Sequence, residues 1–185
     1  MATKSGLPVA KTGGNPILQA INFLSTLAGF VAAGLIFVSV LITCQMIFVR
    51  YVLNQSTIWQ TEAVTYMVLG ATLIGLPYVQ RLRGHVNVDL IPIALPGLAR
   101  KALAVFTLVA TIVMAAIMLY YGYEFWHIAF ERGWRSDTVW GVSLWIPYIA
   151  VPIGFTLFIL QLSADLLAVI LGIEEPFGLP PKGGE

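Results

Sequence analysis

Three ionisable residues around position 127 are the first candidates for chemistry in this chain. Glu124, His127 and Glu131 are spaced i, i+3 and i+7, so an α-helix would carry them on one face. Carboxylates and imidazole can bind a metal, and such a face would also respond to pH. A helix that projects beyond a membrane and solvates its polar side has the same composition, and we expect this simpler arrangement, with no metal.

The histidines His85 and His127 raise the alternative of a haem site. The charge-free segments of the chain place them on opposite sides of a membrane, about 30 Å apart, so they cannot ligate one iron together. The single cysteine, Cys44, cannot form an internal disulfide, and the sequence has no glycine-rich phosphate loop and no Ser/His/Asp arrangement. The sequence therefore predicts no catalytic residue, no metal and no cofactor, and it gives no support for an enzyme.

The composition of the chain indicates an integral membrane protein. Of the 185 residues, 58% are hydrophobic and 10% are charged, and the mean hydropathy is +0.86. Soluble domains carry about 25% charged residues, so this chain has too few charges to cover a soluble surface. The net charge of +1 and the single cysteine also exclude a nucleic-acid-binding protein and a secreted disulfide scaffold.

Four long stretches without charge predict four transmembrane helices. A helix needs about 20 apolar residues to cross a hydrocarbon core of roughly 30 Å. The predicted spans are about Asn22–Val49, Trp59–Val79, Ala102–Tyr123 and Leu144–Ala164. They form a transmembrane domain over residues 22–172, between an N-terminal tail of residues 1–21 and a C-terminal tail of residues 173–185. The predicted fold class is an all-α integral membrane protein.

The distribution of lysine and arginine predicts that both termini lie in the cytoplasm. Four spans place the termini on one side of the membrane. That side carries seven basic residues: Lys4, Lys11, Arg81, Arg83, Arg100, Lys101 and Lys182. The opposite side carries three: Arg50, Arg132 and Arg135. Because basic loops are retained in the cytoplasm, we expect the termini and the two tails there.

The segment Arg83–Lys101 is predicted to lie along the membrane surface. It connects the second and third spans, and it is apolar with charges at its ends. It is too short and too interrupted by proline and glycine to cross the bilayer. We therefore expect an interfacial amphipathic segment that braces the helices, with its basic residues at the lipid phosphates.

The few acidic residues near the spans are expected to act as anchors. Glu62, Glu124 and Asp165 all fall near span ends, and none lies clearly at mid-membrane. A proton path requires ionisable groups that step across the bilayer. This placement favours interfacial anchoring and pairing between helices.

Small residues and prolines predict how the spans pack. The pairs Ala28 with Ala32, Gly29 with Ala33, and Ala71 with Gly75 allow close helix approach, either within this chain or against another membrane protein. Pro147 and Pro152 predict a fixed kink in the fourth span.

Three ordered stretches carry a resemblance to a known family. They are Arg50–Asn54 followed by Trp59 and Glu62, then Gly75 and Arg83–Asp89, and finally Trp145–Tyr148 followed by Val151–Phe155. In this order, from Asn22 to Leu167, the chain resembles the small membrane subunit, of the DctQ-like family, of tripartite ATP-independent periplasmic (TRAP) transporters. Many members carry two consecutive acids after the tryptophan, whereas this chain has Thr61 and Glu62.

The resemblance implies an accessory role in the sodium-coupled import of an organic acid across the bacterial inner membrane. In such transporters a periplasmic binding protein delivers the substrate transiently, and a large multi-span subunit binds substrate and sodium and moves as an elevator. The small subunit packs on the stationary scaffold of the large one. The expected partners are these two proteins and membrane lipids, with no nucleic acid.

The resemblance also implies a set of structural and subunit-interface residues. They are Arg50, Tyr51, Asn54, Trp59, Glu62, Arg83, His85, Asp89, Pro147 and Pro152. Two arrangements stay open for Arg50 and Glu62: a pair across the turn between the first two spans, or separate solvation of each side chain. Asp89 is expected to face Arg83 or His85 in the interfacial segment.

Two other functions are alternatives at the level of sequence. One is a membrane anchor of a redox complex that holds haem or quinone, and the other is a small homo-oligomeric channel. The scarcity of polar residues in the spans argues against a channel. The transported carboxylate is not encoded here, because the implied substrate site lies on other polypeptides.

Overall fold

Long helices make up most of the described chain. The computed structural model describes residues 16–82 and 97–172. Its helices are α1 (Pro16–Tyr51), α2 (Gln60–Arg81), α3 (Gly97–Glu131), α4 (Trp145–Tyr148) and α5 (Ala150–Ile170), with no strand among these residues. Four segments, with α4 and α5 counted as one, are long and apolar enough to cross a membrane. This confirms the predicted all-α membrane fold.

The helices α1 and α3 continue beyond the predicted spans. They contain 36 and 35 residues, and at about 1.5 Å per residue each is longer than the hydrocarbon core is thick. A lack of charge marks the part of a helix that lies in lipid, but the helix ends only where its backbone turns. The turns lie at Asn54 (φ 50°) and Gly133 (φ 59°), whose left-handed backbone cannot continue a right-handed helix.

The spans pack in the order α1, α2, α5, α3. The last span in the sequence therefore lies between α2 and α3, and α1 also contacts it. Ala115 of α3 packs with Phe158 and Leu162 of α5 in the main apolar cluster. We call the side that carries residues 51–60 and 131–145 the loop side. The terminal side carries the starts of α1 and α3 and the ends of α2 and α5.

Glycines bring neighbouring helices into close contact. A Cβ atom on Gly29 would overlap the ring of Tyr78, and one on Gly75 would lie 3.3 Å from Cβ of Ala32. Between α2 and α5, a Cβ atom on Gly154 would lie 2.6 Å from the carbonyl oxygen of Leu73. Gly29, Ala32 and Gly75 thus serve packing within this chain, which was one of the two alternatives predicted, whereas Ala33 is exposed.

The two prolines of the fourth span lie on either side of a break in the helix. Ile149 separates α4 from α5, although its φ and ψ of −61° and −23° are close to helical values. Its N–H donates to the Trp145 carbonyl at 3.2 Å, so the chain direction is kept. Pro152 has no N–H for the carbonyl of Tyr148 four positions earlier, which interrupts the helical hydrogen bonds at this point.

Candidate functional site

The turn between α1 and α2 contains the first group of predicted interface residues. Asn54 adopts a left-handed backbone that reverses the chain. Nη2 of Arg50 donates a hydrogen bond of 3.2 Å to Oγ1 of Thr57, which closes the turn. Tyr51 is exposed beside it. The position of a Tyr at this side is consistent with an interfacial anchor.

Glu62 connects α2 to the segment between α3 and α4. Its Oε1 accepts a hydrogen bond of 2.6 Å from the Tyr66 hydroxyl, and its Oε2 accepts one of 2.5 Å from the Thr138 hydroxyl. Of the two arrangements left open for Glu62 and Arg50, the pair is not formed, and Arg50 contacts Thr57 instead. Within residues 16–82 and 97–172, Glu62 forms no salt bridge. The structure therefore brings Glu62 to Thr138, a partner that the sequence pattern does not reveal.

The segment that supplies Thr138 folds as a short hairpin, which we call the hairpin loop (residues 134–144). Antiparallel hydrogen bonds join residues 134–136 to residues 142–144. Gly141, with φ 59°, provides the left-handed turn that most residues avoid. Trp140 lies with its ring centroid 6.2 Å from that of Trp59, at the start of α2. The hairpin loop thus rests on α2 through Trp140 and Thr138.

Aromatic side chains fix the last turns of α3 against α4. The ring centroids of Phe125 and Tyr148 are 5.1 Å apart, and those of Phe130 and Trp145 are 5.7 Å apart. The indole N–H of Trp126 donates to the Trp145 carbonyl at 3.2 Å. These contacts give the loop side a defined aromatic surface, which fits the preference of such rings for a membrane interface.

A buried polar cluster joins α1, α2 and α5 near the terminal side. The Ser25 hydroxyl donates to Oε1 of Gln161 at 2.6 Å, and Nε2 of Gln161 donates to Oδ1 of Asn22 at 3.2 Å and to Oδ1 of Asp165 at 2.9 Å. Gln161 has no exposed surface. Nε2 of Gln80 donates to the second oxygen of Asp165 at 2.9 Å. We call these residues the terminal-side polar cluster.

Arg81 extends this cluster along α1. Its Nη1 donates to the Asn22 carbonyl at 3.0 Å and to the Thr26 hydroxyl. Of these residues, only Asp165 is predicted from the sequence to pair helices. The amide of Gln161 in an apolar span is a further signal, because such a group needs a partner on another helix.

Three of the predicted site residues fall in the predicted interfacial segment, most of which lies outside the described residues. These three are Arg83, His85 and Asp89. The end of that segment, Gly97–Lys101, forms the first turn of α3. There the Lys101 ammonium donates to the Ile170 carbonyl at 3.4 Å.

The candidate metal face on α3 contains one close pair. Nδ1 of His127 lies 3.6 Å from Oε2 of Glu131, and both side chains are largely exposed. Glu124, on the same helix, is exposed as well. In the part of the chain that the structure describes, no group of three or more His, Cys, Asp or Glu side chains is placed to hold a metal ion.

Sequence comparison identifies the family. Residues 39–172 match the family described as tripartite ATP-independent periplasmic transporters, DctQ component. The C4-dicarboxylate TRAP transporter small permease protein DctQ of Vibrio cholerae serotype O1 is 22% identical over 172 residues, which cover 82% of this chain and 74% of that protein. The sialic acid TRAP transporter small permease protein SiaQ of the same bacterium is 23% identical over 133 residues, covering 70% and 75%.

A third relative has another substrate in its name. The ectoine TRAP transporter small permease protein TeaB of Halomonas elongata is 26% identical over 106 residues, which cover 57% of this chain and 54% of that protein. The match over residues 39–172 and the four membrane-spanning segments confirm the predicted resemblance. The family consists of transporter subunits and not of enzymes. This chain therefore belongs to the DctQ component family of TRAP transporters, as a small multi-pass permease subunit of the bacterial inner membrane.

Proposed function

We propose that this chain is the scaffold subunit of a sodium-coupled transporter that imports an organic acid delivered by a periplasmic binding protein. It packs on a large elevator-type membrane subunit and holds the stationary part of that subunit in the bilayer. The names of the relatives carry three substrates, C4-dicarboxylate, sialic acid and ectoine. We therefore propose the class of substrate and leave its identity to the large subunit and the binding protein.

The observation that carries this proposal is a ridge of phenylalanines on α1. Phe23, Phe30 and Phe37 are 69%, 73% and 66% exposed. They are seven residues apart, so they lie along one face of the helix, in the spacing by which helices interlock with one another. We call these three residues the Phe ridge. Aromatic side chains on a rigid helix provide a large contact area for a partner helix.

The use of the polar side chains supports a scaffold over a substrate site. Gln161, Asp165 and Gln80 bind one another and connect α5 to α2. Ser25 connects the same cluster to α1. A unit whose helices are joined in this way, with aromatic anchors at its loop side, resists tilting in the bilayer. A moving transport domain needs a frame of this kind.

The proposed orientation places the loop side at the periplasm. The excess of lysine and arginine on the terminal side supports this choice. In this orientation the hairpin loop and the aromatic end of α3 face the compartment from which the binding protein arrives.

Purification with native partners tests the proposal. The chain is tagged at its C-terminus, expressed with its neighbouring genes, extracted in mild detergent and analysed by mass spectrometry. We expect one large multi-span partner at a ratio of one to one. Phe30→Ala should lower its recovery severalfold, whereas Phe106→Ala should not, although Phe106 on α3 is similarly exposed at 70%. Recovery of the chain alone, or with a haem protein or flavoprotein, would contradict the proposal.

The transport reaction is tested with the reconstituted complex. Proteoliposomes that contain the complex should take up a radiolabelled organic acid only when the binding protein and an inward sodium gradient are both present. Equal uptake with a potassium gradient would disprove the sodium coupling. The assignment of this chain as a transporter subunit would then be decided by the purification experiment.

A further inference from the structure

An apolar groove of about 290 Å³ opens on the loop side, between α1, α2 and the α4–α5 pair. Its lining includes Leu35 of α1, Met67 of α2, Ile153 of α5 and Trp140 of the hairpin loop. The lining residues of α2 run from residue 63 to residue 74. At about 1.5 Å per residue this is roughly 16 Å, close to half of a hydrocarbon core of about 30 Å. The groove therefore has the depth of one leaflet.

We propose that this groove binds one acyl chain of a phospholipid with a primary-amine headgroup, of the phosphatidylethanolamine type. The lipid belongs to the leaflet on the loop side, which is the periplasmic leaflet in the proposed orientation. A dry cavity of about 150 Å³ accommodates a benzene molecule, so the groove has room for roughly twelve carbon atoms. That is a large part of one acyl chain.

The charge at the rim selects the headgroup. Tyr66 lines the groove, and its hydroxyl donates to Oε1 of Glu62 at 2.6 Å. The Glu62 carboxylate therefore lies at the loop-side end of the groove, and among the described residues no Lys, Arg or His nitrogen forms a salt bridge with it. An ammonium headgroup donates hydrogen bonds to such a carboxylate. A glycerol headgroup, which leaves the lipid with a net negative charge, is repelled, and a choline headgroup has no N–H to donate.

The groove and the Phe ridge lie on different faces of α1. Leu35 in the groove and Phe37 in the ridge are two positions apart, which is about 200° around a helix of 3.6 residues per turn. A large subunit docked on the ridge would leave the groove open to lipid. The lipid site is therefore independent of the proposed function, and it can be tested on the chain with or without its partner.

Native mass spectrometry of the full chain tests the headgroup. The protein is delipidated in mild detergent and mixed with equal concentrations of dioleoyl phosphatidylethanolamine and dioleoyl phosphatidylglycerol. We expect the amine lipid to be retained about fivefold more than the glycerol lipid, a preference of the size that a partly exposed ion pair provides. Glu62→Gln should bring this ratio close to one, and Glu124→Gln, at an exposed carboxylate away from the groove, should leave it unchanged. Equal retention of both lipids by the unmodified chain would overturn the proposal.

A second pair of variants tests the groove itself. Ile153→Trp places a large ring in the groove and should abolish lipid retention. Leu160→Trp, on the same helix and exposed to the same degree (40% against 43%) but outside the groove, should retain lipid. If Ile153→Trp does not fold, the headgroup ratios above decide the question alone. Unchanged retention in a folded Ile153→Trp protein, or loss of the lipid when the large subunit binds, would overturn the proposal.

Discussion

The hydroxyl of Ser25 on α1 donates a hydrogen bond of 2.6 Å to the amide oxygen of Gln161 on α5, 136 positions later in the chain. The other end of the same amide donates to Asn22 and Asp165. One fully buried side chain thus connects two helices at their terminal side. In a membrane, where apolar burial between helices provides little driving force, such polar contacts and close packing hold the spans together.

Gln161→Leu should destabilise the chain. The replacement keeps the volume of the side chain but leaves the Ser25 hydroxyl and the Asn22 amide without their buried partner. We expect the free energy of unfolding to fall by about 1–3 kcal/mol. Unfolding in increasing concentrations of sodium dodecyl sulfate, followed by circular dichroism, measures this change. Gln19→Leu, at an exposed position of α1, is the control, and equal stability of the two variants would contradict the assigned role.

Gly154→Ala should weaken the contact between α2 and α5. The new methyl group would lie 2.6 Å from the backbone oxygen of Leu73, which cannot move without the helix. We expect a loss of about 1–3 kcal/mol, as for other overpacked sites. Gly34→Ala, where no atom outside the local helix backbone lies within 4 Å of the new Cβ, should instead gain up to about 1 kcal/mol from helix propensity. The same unfolding measurement compares them, and a similar effect at both glycines would refute the close approach.

Thr138→Val should release the hairpin loop from α2. The substitution removes the hydroxyl that donates to Glu62, while the shape of the side chain is kept. A hydrogen bond contributes about 0.5–1.5 kcal/mol, so the open population should rise roughly twofold to twelvefold. Limited trypsin digestion of the detergent-purified protein measures the rate of cleavage after Arg135.

The control for the hairpin loop is Thr111→Val. Thr111 donates only to the Thr107 carbonyl of its own helix, at 2.8 Å, so its replacement should leave cleavage at Arg135 unchanged. If Thr138→Val is cut no faster than the unmodified chain, the contact with Glu62 does not hold the loop.

Arg50→Ala should lower the yield of the purified transporter complex while the transport KM stays the same. Arg50 lies in the last turn of α1, where a cation is favourable, and it closes the turn through Thr57. In the proposed arrangement the substrate site lies on the large subunit and not on this chain. Arg132→Ala, at another exposed arginine of the loop side, serves as the control. An intact complex with an altered KM would show that Arg50 takes part in substrate handling.

The spans were predictable because charge is costly in lipid, and the break near Ile149 was predictable because Pro152 lacks an N–H. The ends of α1 and α3 were not, since they depend on the left-handed backbone at Asn54 and Gly133 and not on hydropathy. The positions of charged residues show which part of the chain lies in the bilayer, whereas the end of a helix depends on the local backbone conformation.

The hydrogen-bond partners of the polar side chains could not be predicted from the sequence. Arg50 is only twelve positions from Glu62 in the sequence. Glu62 nevertheless accepts a hydrogen bond from Thr138, 76 positions away, because the hairpin turn at Gly141 places that hydroxyl beside the carboxylate. Gln161 likewise finds its partners only after α5 has packed against α1. Such contacts depend on the packing order of the helices, which a single sequence does not display.

The position of α5 has a consequence for biosynthesis. It is the last of the described spans to leave the ribosome, yet it packs between α2 and α3, and α3 makes its main helix contacts with it. A nascent chain that has inserted α3 but not α5 carries a span without its principal neighbour. The packing of α3 within the described helices is therefore completed only once α5 has inserted, and a chain cut short before Ala150 would leave α3 without this neighbour.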